Sequence, residues 1–273
     1  MLAQRGPFSR TRARPANAPT QAETTSWQAA VASNGGTVSP ARFQIVNNFI
    51  YAEKAAGLWA LTDDYWGLWA EDTPGALTSL KQLRMALSIS APSFLPSRGY
   101  QFDGATNYLR TGFIPSTNAV AASGTSGHLC AYVLAGTSGG FDIGNSVSST
   151  VNWSLRSRNG TTNLTYSLNS TSSAAVSTVL GGPGFFCGTR TVDTFEGWMN
   201  GASVGQFVPT TFPQGVLPSI ELYIGAQNVN AVPGTFSPRL TGFLAAGASL
   251  NAAQNLARYA NVQAWGEAIG ASA

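Results

Sequence analysis

The sequence predicts a mostly β chain: an antiparallel β-sandwich preceded by a helical segment and closed by a short helix. Three observations carry this. From Phe94 onward apolar runs are short, and turn signals recur at about eight- to twelve-residue spacing, the rhythm of an all-β sandwich. Asn159-Gly160 and Asn200-Gly201 are hairpin signals, because Asn and Gly both tolerate the positive φ of a tight two-residue turn. Only 10% of the residues are charged, while Gly, Ser, Thr, Asn and Ala are abundant, a mixture that suits many turns and close packing.

Three zones follow one another. Residues 1–25 are rich in Arg, Pro, Ala and Thr and cannot form a core, so they read as an extended arm. Arg5, Arg10, Arg12 and Arg14 lie here, and the first acidic residue is Glu23. Without this stretch the chain holds eleven basic and eleven acidic residues, so its net charge of +3 belongs to the arm. A neutral body disfavours a nucleic-acid groove, which needs a clustered basic face. The N-terminus lacks the apolar core of a secretion signal, and no stretch has the length of a membrane span.

Residues 26–92 read as a helical preface packed on the sandwich. Ser39-Pro40 supplies an N-cap and a proline at the first helical position, Phe43, Val46, Phe49 and Ile50 form one apolar stripe, and Gly57 ends the helix. Trp59, Trp66 and Trp69, with Leu61, Tyr65 and Leu68, are too many large apolar groups for a free surface, and a further helical piece is expected around residues 76–84. Residues 93–273 form the sandwich and its closing helix. In the segment 163–169, Leu164, Tyr166 and Leu168 alternate on one strand face. Asn251 and Gln254 form a capping box ahead of Leu256, Tyr259, Ala260, Ala264 and Trp265. Four Asn-x-Ser/Thr triplets, at Asn152, Asn159, Asn163 and Asn169, read as turn and strand residues.

Four segments, in order, resemble the LamG-like branch of the concanavalin A-like jelly rolls. They are residues 99–109 with their Phe-Asp-Gly turn, similar to the family's opening strand pair, the strand, Asn-Gly turn and strand of residues 195–204, the Ile-Gly strand of residues 222–228, and the strand leading to a final helix at residues 236–247. The preface from Trp27 to Asp72, through Trp59 and Trp69-Ala70-Glu71, is similar to the segment that precedes such a domain in proteins of phage and prophage genomes. The resemblance implies a concanavalin A-like jelly roll on a virion or tail-associated protein. It also implies assembly in a host cytoplasm, a homo-oligomeric state, and exposed loops for host glycans.

Chemistry-bearing residues are few. Glucan-hydrolysing members of the family carry a Glu-x-Asp-x-x-Glu strand that sets two carboxylates across a cleft. This chain has no Glu-x-Asp, and its nearest approach is Asp193 with Glu196. His128 is the sole histidine and has no nucleophile elbow to serve. A non-enzymatic role is therefore expected, a structural component of a phage particle, with a free carbohydrate-binding module or a degenerate glucanase as alternatives. Trp153, Trp198 and Tyr223 either stack on sugar rings, if they face solvent, or fill the core. Asp103 is a turn residue or, alternatively, a calcium ligand at the rim. Cys130 and Cys187 lie in apolar stretches, as buried thiols or a disulfide pair. The arginines Arg5, Arg10, Arg12 and Arg14 are expected to anchor the arm on carboxylates or carbonyls of other virion proteins.

Overall fold

A computed structural model describes residues 18–136, 139–159, 163–170, 174–177, 183–207 and 215–271. Arg5, Arg10, Arg12 and Arg14, and the glycine of the Asn159-Gly160 turn, lie outside the described residues. The chain runs α1 (Ala22–Ser33), α2 (Pro40–Ala55), α3 (Leu58–Leu61), β1 (Thr62–Gly67), α4 (Thr73–Leu77), β2 (Leu87–Ile89), β3 (Ser93–Leu95), β4 (Gly99–Gln101) and β5 (Tyr108–Arg110). It continues through α5 (Pro115–Asn118), β6 (Gly127–Ala135), β7 (Ile143–Ser146), β8 (Asn152–Asn159), β9 (Asn163–Leu168), β10 (Ala174–Ser177) and β11 (Gly184–Arg190). Last come β12 (Phe195–Met199), β13 (Ala202–Phe207), β14 (Tyr223–Ile224), β15 (Gln227–Val229), β16 (Val232–Gly234), β17 (Leu240–Gly247) and α6 (Ala252–Ala268).

Two sheets make a β-sandwich. One has the order β13-β12-β11-β6-β17-β4-β3, with β1 also paired to β17, and the other the order β10-β9-β8-β7-β14-β5-β2. The pairings are antiparallel except that of β15 with β7. Leu129, Ala131, Val133, Phe186 and Leu244 from the first sheet meet Leu109, Ile143, Trp153, Leu155, Tyr166 and Ile224 from the second. Helices cover the outer face of the first sheet: Trp27, Val31, Val46, Phe49, Ile50, Val262 and Trp265 pack on Tyr65, Cys130, Tyr132, Phe185, Cys187, Trp198 and Phe243. That sheet is thus buried on both faces, which explains why β6 and β17 are apolar almost without alternation.

Local signals explain several boundaries. Ser39 Oγ accepts from the Arg42 N–H at the start of α2. Asn251 and Gln254 close their capping box at α6. Asn200 and Gly201, at φ 50° and 76°, turn β12 into β13. Cys130 and Cys187 are buried free thiols, directly opposite each other on β6 and β11. Asn152 and Asn169 are buried, in keeping with their reading as turn and strand residues.

The structure departs from the sequence reading in the preface. Helix α1 starts at Ala22, inside the segment read as arm. Thr62–Gly67 is a strand and not a helix, pairing from Thr62 opposite Gly247 to Gly67 opposite Phe243. The segment Thr-Asp-Asp-Tyr-Trp-Gly is buried throughout although its first half is polar, so its sequence shows neither the two-residue period of a half-buried strand nor a helical stripe. The helical piece expected at residues 76–84 is a single turn at Thr73–Leu77, capped by Asp72 accepting from Gly75 N–H, and β2 then joins the second sheet. Trp66 and Trp69 are buried and Trp59 is half-buried. The buried face of α6 is Asn255, Arg258, Val262, Trp265 and Gly266, whereas Leu256 and Ala260 are exposed. Two glycines make room for the rings: a Cβ on Gly67 would lie 2.4 Å from the Trp265 ring, and one on Gly242 2.6 Å from that of Trp69.

Arg258 points from α6 into a buried polar cluster. Its Nε lies 2.8 Å from Glu53 Oε2, and its Nη2 donates to Thr62 Oγ1 at 2.6 Å. Tyr65 OH and Asn261 Nδ2 also donate to the Glu53 carboxylate. His128 Nδ1 meets Ala248 O, which only accepts, so Nδ1 carries the proton and Nε2 turns its lone pair to Arg258 Nη1, 3.5 Å away.

Burial, with the Arg258 charge beside it, pushes the imidazole down to about 3 from 6.5. Burial lifts the Asp64 carboxyl from 3.8 to about 6, against the N–H groups of Tyr65, Lys81 and Gln82 that it accepts. Below pH 6.5 the unfolded chain protonates this histidine and the folded chain does not, so His128 costs stability as pH falls towards 3. Asp64 acts in reverse, because the folded chain takes up its proton first, between about 6 and 3.8. The two offset one another across that window. Asp64→Asn is therefore expected to add a stability loss of about 1.4 kcal/mol per pH unit on acidification below pH 6, relative to the parent chain. Urea melts of both proteins from pH 7 to pH 4 measure it, and parallel slopes would contradict it.

Candidate functional site

Strands β5 and β14 pair with Tyr223 opposite Arg110 and Ile224 opposite Leu109. Alternation sends Leu109 and Ile224 into the sandwich interior and Tyr108, Arg110 and Tyr223 to the outer face of the second sheet. The Tyr108 and Tyr223 rings pack at 4.7 Å between centroids, with Phe236 6.1 Å from Tyr108. Beside them β15 and β16 form a hairpin whose turn residues, Asn230 and Ala231, have positive φ. Asn228 ties this hairpin down, its Nδ2 donating to Glu221 O and its Oδ1 accepting from Ala231 N–H.

These elements enclose an open pocket of about 440 Å³, lined chiefly by Arg110, Ile114, Ser219, Ile220, Glu221 and Tyr223. That volume lies in the range of small-ligand sites. Glu221 organises its charged edge. Its Oε1 accepts from Arg110 Nε at 2.7 Å and lies 2.6 Å from Nη2, and its Oε2 accepts from Gly112 N–H at 2.9 Å. These contacts raise the Arg110 guanidinium above its ordinary value, the hydrogen bond first and the charge second. The Tyr223 phenol is also raised, by burial and then by the Glu221 charge.

Of the three aromatics read as sugar-stacking, Tyr223 alone lines this pocket, and at 4% exposure it backs the wall without offering a free ring face for stacking. Trp153 fills the space between the sheets and Trp198 lies beneath the helices, at 1% and 3% exposure, so neither offers a ring face to a ligand. Asp103 is exposed but engaged: its Oδ1 accepts the N–H groups of Ala105, Thr106 and Asn107, and its Oδ2 the Thr106 hydroxyl. These donors hold its carboxyl far below the usual range. It is a turn-forming residue, with both carboxylate oxygens accepting from protein donors.

An oxygen-rich nest exists elsewhere, and a guanidinium fills it. Buried Arg239 donates to the carbonyls of Gly139, Gly140 and Arg158 and pairs with the buried Asp142 carboxylate at 2.9 Å. Among the described residues no three His, Cys, Asp or Glu side chains converge as a metal site. Asp193 sits in an exposed bend, and Glu196 on β12 accepts from Ser203 Oγ at 2.6 Å. No described helix is long and apolar enough to cross a membrane.

Sequence reasoning missed Arg110 and Glu221. They stand 111 positions apart, and strand pairing alone brings them together, so no local spacing signals the pair.

The sequence matches no family model and no curated protein. In structure the chain is similar to a mutant of Trypanosoma rangeli sialidase displaying trans-sialidase activity, with a TM-score of 0.51 and 12% identity. That alignment covers 82% of this chain and 40% of the sialidase. Others include domain 4 of AbnA, a GH43 arabinanase from Geobacillus stearothermophilus in complex with arabinotriose (TM-score 0.47, 12% identity, 72% of this chain and 97% of that one). A native heptameric SAP-like pentraxin from Limulus polyphemus gives 0.42 at 15% identity, over 57% and 78%. The chain spans less than half the length of the sialidases it matches. At these identities the likeness concerns the fold.

Proposed function

We propose that this chain is a non-enzymatic, glycan-binding β-sandwich of the concanavalin A-like, LamG-type jelly-roll kind, carried on a phage particle. The observation that supports glycan binding is the pocket over β5 and β14. It combines an apolar wall of Ile114 and Ile220, backed by the buried Tyr223, with a fixed polar edge of Arg110, Glu221 and Asn228, the mixture that a sugar with one apolar face and a hydroxyl rim requires. A glycan array with the intact chain is expected to give hits that Ser219→Trp, which fills the exposed rim, removes while the melting temperature stays unchanged. Hits that persist in the variant would move the site elsewhere, and an array without hits would leave the pocket without a glycan role. The panel is expected to be recovered uncleaved; released sugar would revive the degenerate-glucanase reading.

The placement on a particle rests on the sequence. The body is neutral and poor in charge, and the Arg-rich arm cannot bury enough apolar surface to order alone. Arg5, Arg10, Arg12 and Arg14 dock on carboxylates or carbonyls of a neighbouring subunit, in a homo-oligomer or beside another virion protein. Deleting residues 1–17 is expected to preserve the fold and to lower the number of copies retained per purified particle, counted by mass spectrometry. Unchanged occupancy would contradict the anchoring role and favour a free carbohydrate-binding module.

A further inference from the structure

We infer that the pocket selects acidic sugars, with Arg110 as the residue that receives their carboxylate; this rests on the glycan-binding reading above. Its polar groups differ in what they have left to give. Glu221 is largely engaged as an acceptor, since Oε1 faces two Arg110 nitrogens and Oε2 takes the Gly112 N–H, three of its about four lone-pair sites. Asn228 Oδ1 is taken by Ala231 N–H, and its Nδ2 already holds Glu221 O. Arg110, by contrast, uses Nε and Nη2 on a single carboxylate oxygen, and no described residue accepts from its Nη1. A guanidinium is a donor with no acceptor capacity, so this edge asks its ligand for acceptors.

Exposure separates the two charges further. The Arg110 side chain is 47% exposed and that of Glu221 is 12% exposed, so a ligand entering the pocket meets the cation while the anion lies behind it. Glu221 also fixes the guanidinium plane, so part of the ordering entropy is removed before the ligand arrives. The outer Nη edge then presents donors in the fork geometry that matches a carboxylate. A neutral sugar offers only hydroxyl and ether oxygens to the same edge, and its bonds there are weaker.

The test is calorimetric titration of the intact chain with oligogalacturonate, a glucuronate-containing oligomer and a sialylated oligosaccharide, each beside its carboxyl-reduced counterpart. At least one acidic member is expected to bind roughly ten- to a hundredfold more tightly than its reduced form, the gain a charged hydrogen-bonding partner supplies. This preference should shrink with added salt and vanish in Arg110→Gln. Circular dichroism checks that variant's fold, and its melting temperature is expected to fall modestly, because Glu221 loses its charge partner but keeps the Gly112 N–H. Glu221→Gln, which releases the guanidinium plane, should lower the preference without reversing it. Equal binding of the acidic and reduced forms, both lost in Ser219→Trp, would overturn the selectivity and leave glycan binding standing. A preference retained in Arg110→Gln would overturn the role of this arginine. No binding of any member would overturn both readings.

Discussion

Replacing Arg258 with alanine is expected to destabilise the fold by about 3–5 kcal/mol, the cost of leaving one charge of a buried pair without its partner. Glu53 would stay beneath α6 with Tyr65 and Asn261 as its remaining partners, far from water. Thr62 would lose its guanidinium donor. The double variant Glu53→Gln/Arg258→Met removes both charges and is expected to recover more than half of that loss, because an uncharged, well-filled site has little left to desolvate. Urea unfolding of the three proteins measures the effect. A single variant as stable as the parent would mean that water reaches this cluster.

Trp69→Ala is expected to cost a similar amount, about 3–5 kcal/mol, because the ring is wholly buried and the site cannot collapse around its loss. The indole packs against Tyr132, Phe243 and Trp265, at centroid distances of 5.3, 6.1 and 5.7 Å, and over the bare backbone of Gly242. Trp59→Ala should cost only about 1–2 kcal/mol, since that ring is half-buried and keeps one stacked partner, Tyr65, at 5.1 Å. Thermal melts of both variants test the ranking, and equal losses would contradict it.

Features written in a few neighbouring residues were legible. The cap at Ser39-Pro40, the capping box at Asn251 and Gln254 and the turn at Asn200-Gly201 each depend on side-chain hydrogen bonds or φ preferences within four positions. The two sheets were legible from turn rhythm. Features fixed by distant partners were not. Thr62–Gly67 becomes a strand because β17, some 180 residues later, offers it an edge. The inward face of α6 is partly polar because Glu53 waits beneath Arg258, so a search for an apolar stripe chose Leu256 and Ala260 on the wrong side. Trp153 and Trp198 could not be told from ligand-binding rings, since residue type alone does not say which face of a two-layered core a strand turns outward. The pocket was hidden for the same reason: its two charged residues meet across strands and nowhere in the sequence.

The placement of the two thiols has a practical consequence. Cys130 and Cys187 lie buried where the helices seal the first sheet, so neither sulfur meets solvent in the closed state, and burial also raises the Cys187 thiol well above its ordinary value. An alkylating reagent therefore labels them only after the helical layer lifts or the whole chain opens. Comparing the labelling rate with the global unfolding rate reads out whether that layer detaches as a separate cooperative unit. The native sequence thus carries a chemical clock for sub-global opening, with no need of an engineered probe.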